Sequence, residues 1–162
     1  DGKSKNDDVV RFTDGWSMST KTPLGEWAGV TVGATCVTVS GLTLVDVDLG
    51  SNIEEEEWQK FMSAAVHLES FNIANNPELL GDIANFVGLT CLTNLCLDYC
   101  SGLTGELSSL TELCTLTTLS IRSCPNISGD VGSLGPLTNL TSLDVSQSEL
   151  ITELPTSWLL RV

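Results

Sequence analysis

A fixed 24-residue period runs through most of this chain and limits what it can fold into. The segments HLESFNIANN (67–76), CLTNLCLDYC (91–100), TLTTLSIRSC (115–124) and NLTSLDVSQS (139–148) start at equal intervals. Their leading apolar residues are Leu68, Leu92, Leu116 and Leu140. Phe71, Leu95, Leu119 and Leu143 follow three places on, then Ile73, Leu97, Ile121 and Val145. Asn76, Cys100, Cys124 and Ser148 close each segment. One step back, Leu44, Val47, Leu49 and Asn52 fit the same pattern, giving five copies over 44–162. A period of this length marks a repeat architecture, in which each copy is one structural unit.

The physical reading starts from the alternation of apolar residues in each segment. Alternation places those residues on one side of a short strand and their neighbours on the other. The Asn, Cys or Ser that follows ends the strand and bonds a backbone turn from inside. The second half of each unit repeats too, as NPELLGDI, CSGLTGEL and CPNISGDV, with Gly81, Gly105 and Gly129 in register. Glycine permits the tight backbone needed there. Phe86, Leu110, Leu134 and Trp158, then Leu89, Leu113 and Leu137, bury the return path. No single copy can bury its own apolar face, so neighbours must stack into a solenoid with their strands in one parallel sheet.

The pattern LxxLxLxx[N/C/S] resembles that of leucine-rich repeat (LRR) proteins. The stretches LTGEL and ISGDV are similar to the plant-type class, and Cys100 and Cys124 lean toward the cysteine-containing class. WAGV at 27–30 and LPTSW at 154–158 resemble extracellular plant-type LRR proteins and surface LRR antigens of kinetoplastid protozoa. The resemblance implies an α/β-type repeat solenoid: a short right-handed LRR horseshoe with a parallel sheet on its concave face. Loops or short 3-10 turns are expected on the convex face. Residues 1–43 are expected to form a tail and an N-terminal cap. Trp16 and Trp27 either fill the core of that cap or offer their rings to a ligand. One helix is expected near 53–66, started by a Ser51–Glu54 capping box. The run Glu54–Glu57 either begins that helix in solvent or binds a cation. The fifth copy stops at Val162, one residue short, and leaves an expected open end for further repeats, a partner or self-association.

Charge and chemistry narrow the function. Acidic residues number 21 and basic ones 7, a net charge of −14, and four of the cations precede residue 22. Phosphate neutralisation needs clustered Lys and Arg, so nucleic acid is an unfavoured partner. Insertion of this segment into a membrane is not expected, since no apolar run approaches the roughly 18 residues that a spanning helix needs. No signal peptide is recognisable at Asp1. His67 is the one histidine, with no G-x-S-x-G, P-loop or G-x-G-x-x-G near it. A triad needs nucleophile, base and orienting group together, so no enzyme, no cofactor and no metal are expected.

Binding is expected on the outward strand positions. Asp48, Asn72, Cys96, Ser120 and Asp144 form one row, and Ala74, Asp98, Arg122 and Ser146 the next. Tyr99 and Arg122 are of types enriched in binding hot spots. With Asp98, Asp144, Asn72 and Asp48 they form the candidate site, for a protein or peptide of basic character. Replacing Tyr99 and Arg122 tests it. Asn126-Ile-Ser and Asn139-Leu-Thr are candidate glycosylation sites. They suit a cell-surface or secreted recognition module. The alternative is a cytoplasmic adaptor or assembly segment, favoured by Gly25 and Val32, which stand where the cap cysteines of the extracellular proteins are. The six cysteines leave two readings open. Cys100 and Cys124 either stack as reduced inward thiols or, at one coil's spacing, form a disulfide, and Cys91 with Cys114 offers a second bridge.

Overall fold

The computed structural model describes residues 65–152 without interruption, together with Met62 and the backbone of three short strands at 9–11, 17–19 and 41–43. Strands β1 (Val9–Arg11) and β2 (Ser17–Ser19) pair antiparallel within the expected cap. Trp16, Trp27, Cys36, Asp48, Glu54–Glu57 and the chain beyond residue 152 lie outside the described residues.

Five strands form one parallel sheet: β3 (Gly41–Thr43), β4 (Ser70–Asn72), β6 (Asn94–Cys96), β8 (Thr118–Ser120) and β10 (Ser142–Asp144), in that order. From β4 onward the register keeps the period of the sequence: Phe71, Leu95, Leu119 and Leu143 stand side by side. The sheet exists because every coil makes the same alternation and offers its backbone to the next. Ladder bonds continue past the strand ends, as Ile73 N donates to Cys96 O at 3.0 Å and Leu97 N to Ser120 O at 2.9 Å.

The first coil breaks the period. Leu42 pairs with Phe71 and Thr43 with Asn72, a longer step along the chain than the one from Phe71 to Leu95. The strand next to β4 is therefore Gly41–Thr43, just ahead of the expected start of the repeats at 44, and Thr43 holds the register place expected of Asp48. The sequence contains two overlapping alternations, Val39-Leu42-Leu44 and Leu44-Val47-Leu49. The earlier one is used, which lengthens the return path of this coil. Met62 on that path is helical and buried, and the helix ends before Ala65, short of the expected 66.

A second parallel sheet was not legible in the spacing. It joins β5 (Gly81–Asp82), β7 (Leu103–Glu106), β9 (Ile127–Asp130) and β11 (Ile151–Thr152). Each of the first three leads into a 3-10 turn: Ile83–Gly88, Leu107–Leu110 and Val131–Leu134. Asp82 and Asp130 cap two of these, their carboxylates accepting from Ala84 N at 2.8 Å and Gly132 N at 2.6 Å. Such caps satisfy amides that a helical turn leaves free.

One core runs the length of the stack. Leu68, Leu92 and Leu116, Ile73, Leu97 and Ile121, and Phe86, Leu110 and Leu134 are all buried, as are Leu89, Leu113 and Leu137. In the first described coil Phe71 meets Phe86 edge to face, with centroids 5.9 Å apart and an interplanar angle of 83°. Threonines tie the coils at the strand entrances: Thr93, Thr117 and Thr141 hydroxyls donate to Glu69 O, Thr93 O and Thr117 O.

Candidate functional site

Just past each strand stands a residue with left-handed backbone: Asn75, Tyr99, Ser123 and Gln147, with φ of 60°, 60°, 56° and 61°. For a non-glycine residue this costs about 1–2 kcal/mol. The cost is offset because the turned amide stays in the ladder: Tyr99 N donates to Arg122 O and Ser123 N to Ser146 O, at 2.8 and 2.9 Å. Nothing in the residue types Tyr, Ser and Gln announces such a turn, and its signal is only the Asn at the first position.

The next residue in each coil turns inward and holds the chain. Asn76 Nδ2 donates to Ile73 O at 2.8 Å, and the Cys100 thiol donates to the same oxygen at 3.0 Å. The Cys124 thiol donates to Leu97 O at 3.0 Å, and Ser148 Oγ to Ile121 O at 2.7 Å. Cys91, Cys96, Cys100, Cys114 and Cys124 are free. The inward thiol reading therefore stands over the disulfide for Cys100 and Cys124.

Burial pushes the Cys100 thiol up to about 12 and the Cys124 thiol up to about 11, from an ordinary 9.0. A raised folded-state pKa favours the protonated form, so this contribution to stability is complete below pH 9 and is lost as pH climbs toward 12. The melting temperature is expected to fall over that window. The fall is expected to be shallower in Cys100→Ser/Cys124→Ser, where the hydroxyl donates as Ser148 does and does not ionise. Parallel melting curves of the two proteins above pH 9 would remove the thiols as its cause.

Tyr99, Arg122 and Asp98 come together as the sequence spacing placed them. The Arg122 guanidinium lies over the Tyr99 ring, 5.6 Å from its centroid. Such stacking holds both side chains and contributes about 0.5–1 kcal/mol where solvent reaches it. Asp98 Oδ1 accepts from Ser120 Oγ at 2.6 Å and from Arg122 N at 2.9 Å, so the carboxylate is pinned to the next coil. Asp144 Oδ1 accepts from Ser146 N at 2.9 Å. That hydrogen bonding, with a smaller pull from Arg122, holds the Asp144 carboxyl below its usual range. Asn72 sits in the same row as Cys96, Ser120 and Asp144, and its Oδ1 is taken by Ala74 N.

Tyr99 is 43% exposed. It borders a shallow depression of about 610 Å³ lined with Asn75, Pro77, Ser101 and Ser123. Pro77 and Ser101 were not among the expected site residues. They enter because the left-handed turn swings the chain past the strand end. Asn126 and Asn139 are both exposed, and their amides donate to Ser101 O and Cys114 O. His67 is exposed on a turn. Among the described residues no group of His, Cys, Asp and Glu is arranged to hold a metal, and no helix is long and apolar enough to cross a membrane.

No family model matches the sequence, and no curated protein matches it either. Solved structures do. The plant peptide hormone receptor RGFR1, in complex with RGF2, overlays 90% of this chain on 26% of its own at 19% identity and a TM-score of 0.56. The LRR ectodomain of the receptor kinase SOBIR1 from Arabidopsis thaliana is 27% identical over 56% of this chain and 48% of its own, with a TM-score of 0.49. An internalin, InlF of Listeria monocytogenes, is 20% identical over 71% and 43%, with a TM-score of 0.41. The chain thus spans about a quarter to a half of the length of these structures. Taken with the 24-residue coils, their parallel sheet and their inward Asn/Cys/Ser turns, the overlay on RGFR1 shows that this chain has the fold of a leucine-rich repeat solenoid.

Proposed function

We propose that this solenoid is a non-catalytic recognition module that binds a protein or peptide on the face of the five-stranded sheet, at a cell surface or in a secreted protein. The observation that carries the reading is the Tyr99–Arg122–Asp98 patch. An exposed aromatic ring is stacked and its neighbours are hydrogen-bonded in place, beside an open depression. Side chains held this way lose little rotamer freedom when a partner arrives. Tyr and Arg are the types that dominate binding energy at interfaces. The acidic surface favours a partner of basic character. The similar receptor RGFR1 was solved with RGF2 bound, which is in keeping with this use of the fold.

The experiment is selection of a displayed random-peptide library on the wild-type chain, repeated on Tyr99→Ala/Arg122→Ala. Enriched peptides are expected to lose binding by about 10-fold or more in the double variant, equivalent to about 1.4 kcal/mol. Its thermal unfolding is expected to stay cooperative, with a stability loss no larger than the roughly 0.5–1 kcal/mol of the stack. No enrichment, or equal binding by the double variant, would overturn the reading. For location, the native-source protein is expected to lose mass on glycosidase treatment at Asn126 or Asn139; bare asparagines favour the cytoplasmic adaptor instead.

A further inference from the structure

Three charged side chains follow one another on three successive coils of the sheet, in the order minus, plus, minus: Asp98 and Arg122 share one row, and Asp144 stands in the neighbouring row of the next coil. Neighbouring strands of a sheet lie about 4.8 Å apart, so Arg122 is one strand from Asp98 along their row and one strand from Asp144, which is offset by two residues along its own strand. The two acids are already engaged by the protein. Asp98 Oδ1 holds Ser120 Oγ and Arg122 N, and Asp144 Oδ1 holds Ser146 N. These bonds fix both carboxylates without neutralising them.

Arg122 is different. Its guanidinium has the Tyr99 ring on one face. No nitrogen of that guanidinium has a hydrogen bond among the described residues, Asp144 attracts it only as a weaker through-space charge, and Nε is buried without a partner. It is also the one Arg or Lys between residues 61 and 160. Its two Nη groups are neither hydrogen-bonded nor buried among the described residues, and the end of a planar guanidinium is built to take a carboxylate with two parallel hydrogen bonds. The cation is thus pre-positioned with its Nη end open to a ligand, while an anchored carboxylate stands on the coil to either side of it.

We infer that the partner presents the complementary register: an extended segment carrying one carboxylate between two basic side chains, the carboxylate on Arg122 and the bases on Asp98 and Asp144. A carboxylate alone would be repelled by the two flanking acids, and a wholly basic segment would be repelled by Arg122 and leave it unpaired. The alternating segment satisfies all three, and this mismatch penalty gives specificity beyond general attraction of basic chains. The inference rests on the proposed recognition role and deepens it by naming the ligand chemistry.

Its test uses the peptides enriched on the wild-type chain. They are expected to share an acidic residue flanked within two or three positions by Lys or Arg. In one such peptide, changing the acid to Gln is expected to weaken binding about 10-fold. Changing it to Lys is expected to weaken binding further to wild type and to restore it to Arg122→Glu. Arg122→Gln serves as the second variant, expected to bind the acid and Gln peptides alike, and thermal unfolding checks that each variant folds. Enriched peptides that lack the pattern, or an acid-to-Gln change without effect, overturn the inference while the recognition role stands. Failure to enrich any peptide overturns both.

Discussion

Phe71→Ala is expected to destabilise the chain by about 3–5 kcal/mol, the range for removing a buried Phe. Phe71 is 1% exposed and packs edge to face on Phe86, itself 1% exposed. Loss of the ring empties a space that neighbours on a hydrogen-bonded sheet cannot close. Phe71→Leu makes this position like Leu95 and Leu119 in the next coils and is expected to cost less than about 1.5 kcal/mol. Urea unfolding followed by circular dichroism measures both. In a solenoid each coil is held by its neighbours, so an accompanying drop in the slope of the Ala variant would mean that this coil separates before the rest. Equal stability of the Ala and Leu variants would show that the ring pair contributes nothing beyond a smaller apolar side chain.

Gly105→Ala has the second large expected effect. Gly105 adopts a φ of +118°, a region open to glycine and strained for other residues. An added Cβ would also collide with the Asp82 carboxylate and with Ile83 Cγ1, both on the preceding coil. Backbone strain costs about 1–3 kcal/mol and overpacking about 1–3 kcal/mol. Pushing Asp82 aside further loosens its cap on Ala84 N. A total loss of about 2–6 kcal/mol is expected from these two terms. Gly88→Ala is the control: an added Cβ there meets nothing within 4 Å, and a change within about 0.5 kcal/mol is expected. If the two variants unfold alike, the close approach of coils at Gly105 is not a constraint on the fold.

Both effects fall on the part of the structure that was legible in the chain. The 24-residue spacing marked Leu95, Leu97, Leu110 and Leu113 as core, placed Gly105 at a tight bend, and set Asp98 beside Arg122 on the outer face. Each of these is a local pattern repeated identically, so the solution for one coil is the solution for the next. The inward turn at Asn76, Cys100, Cys124 and Ser148 was legible for the same reason. Three side chains of different chemistry do one job there, because each can donate to a carbonyl from inside the coil.

What required the tertiary structure is whatever depends on one coil meeting another or on a coil that differs. The first coil offered two apolar alternations of equal quality, and only pairing with β4 selected Gly41–Thr43 and put Thr43 at the row place expected of Asp48. The second sheet arises from coil stacking: strands this short have no pattern of their own and form because the neighbour's backbone is in reach. The left-handed turns at Asn75, Tyr99, Ser123 and Gln147 persist because the ladder bonds of adjacent coils outweigh their strain. The sequence by itself determined a stack of 24-residue coils with Tyr99, Arg122 and Asp98 facing outward. Only the packed structure decided that Arg122 would lie on Tyr99 with no hydrogen bond to its guanidinium, between two anchored carboxylates on the adjoining coils, because that follows from side-chain geometry across coils and not from spacing along the chain.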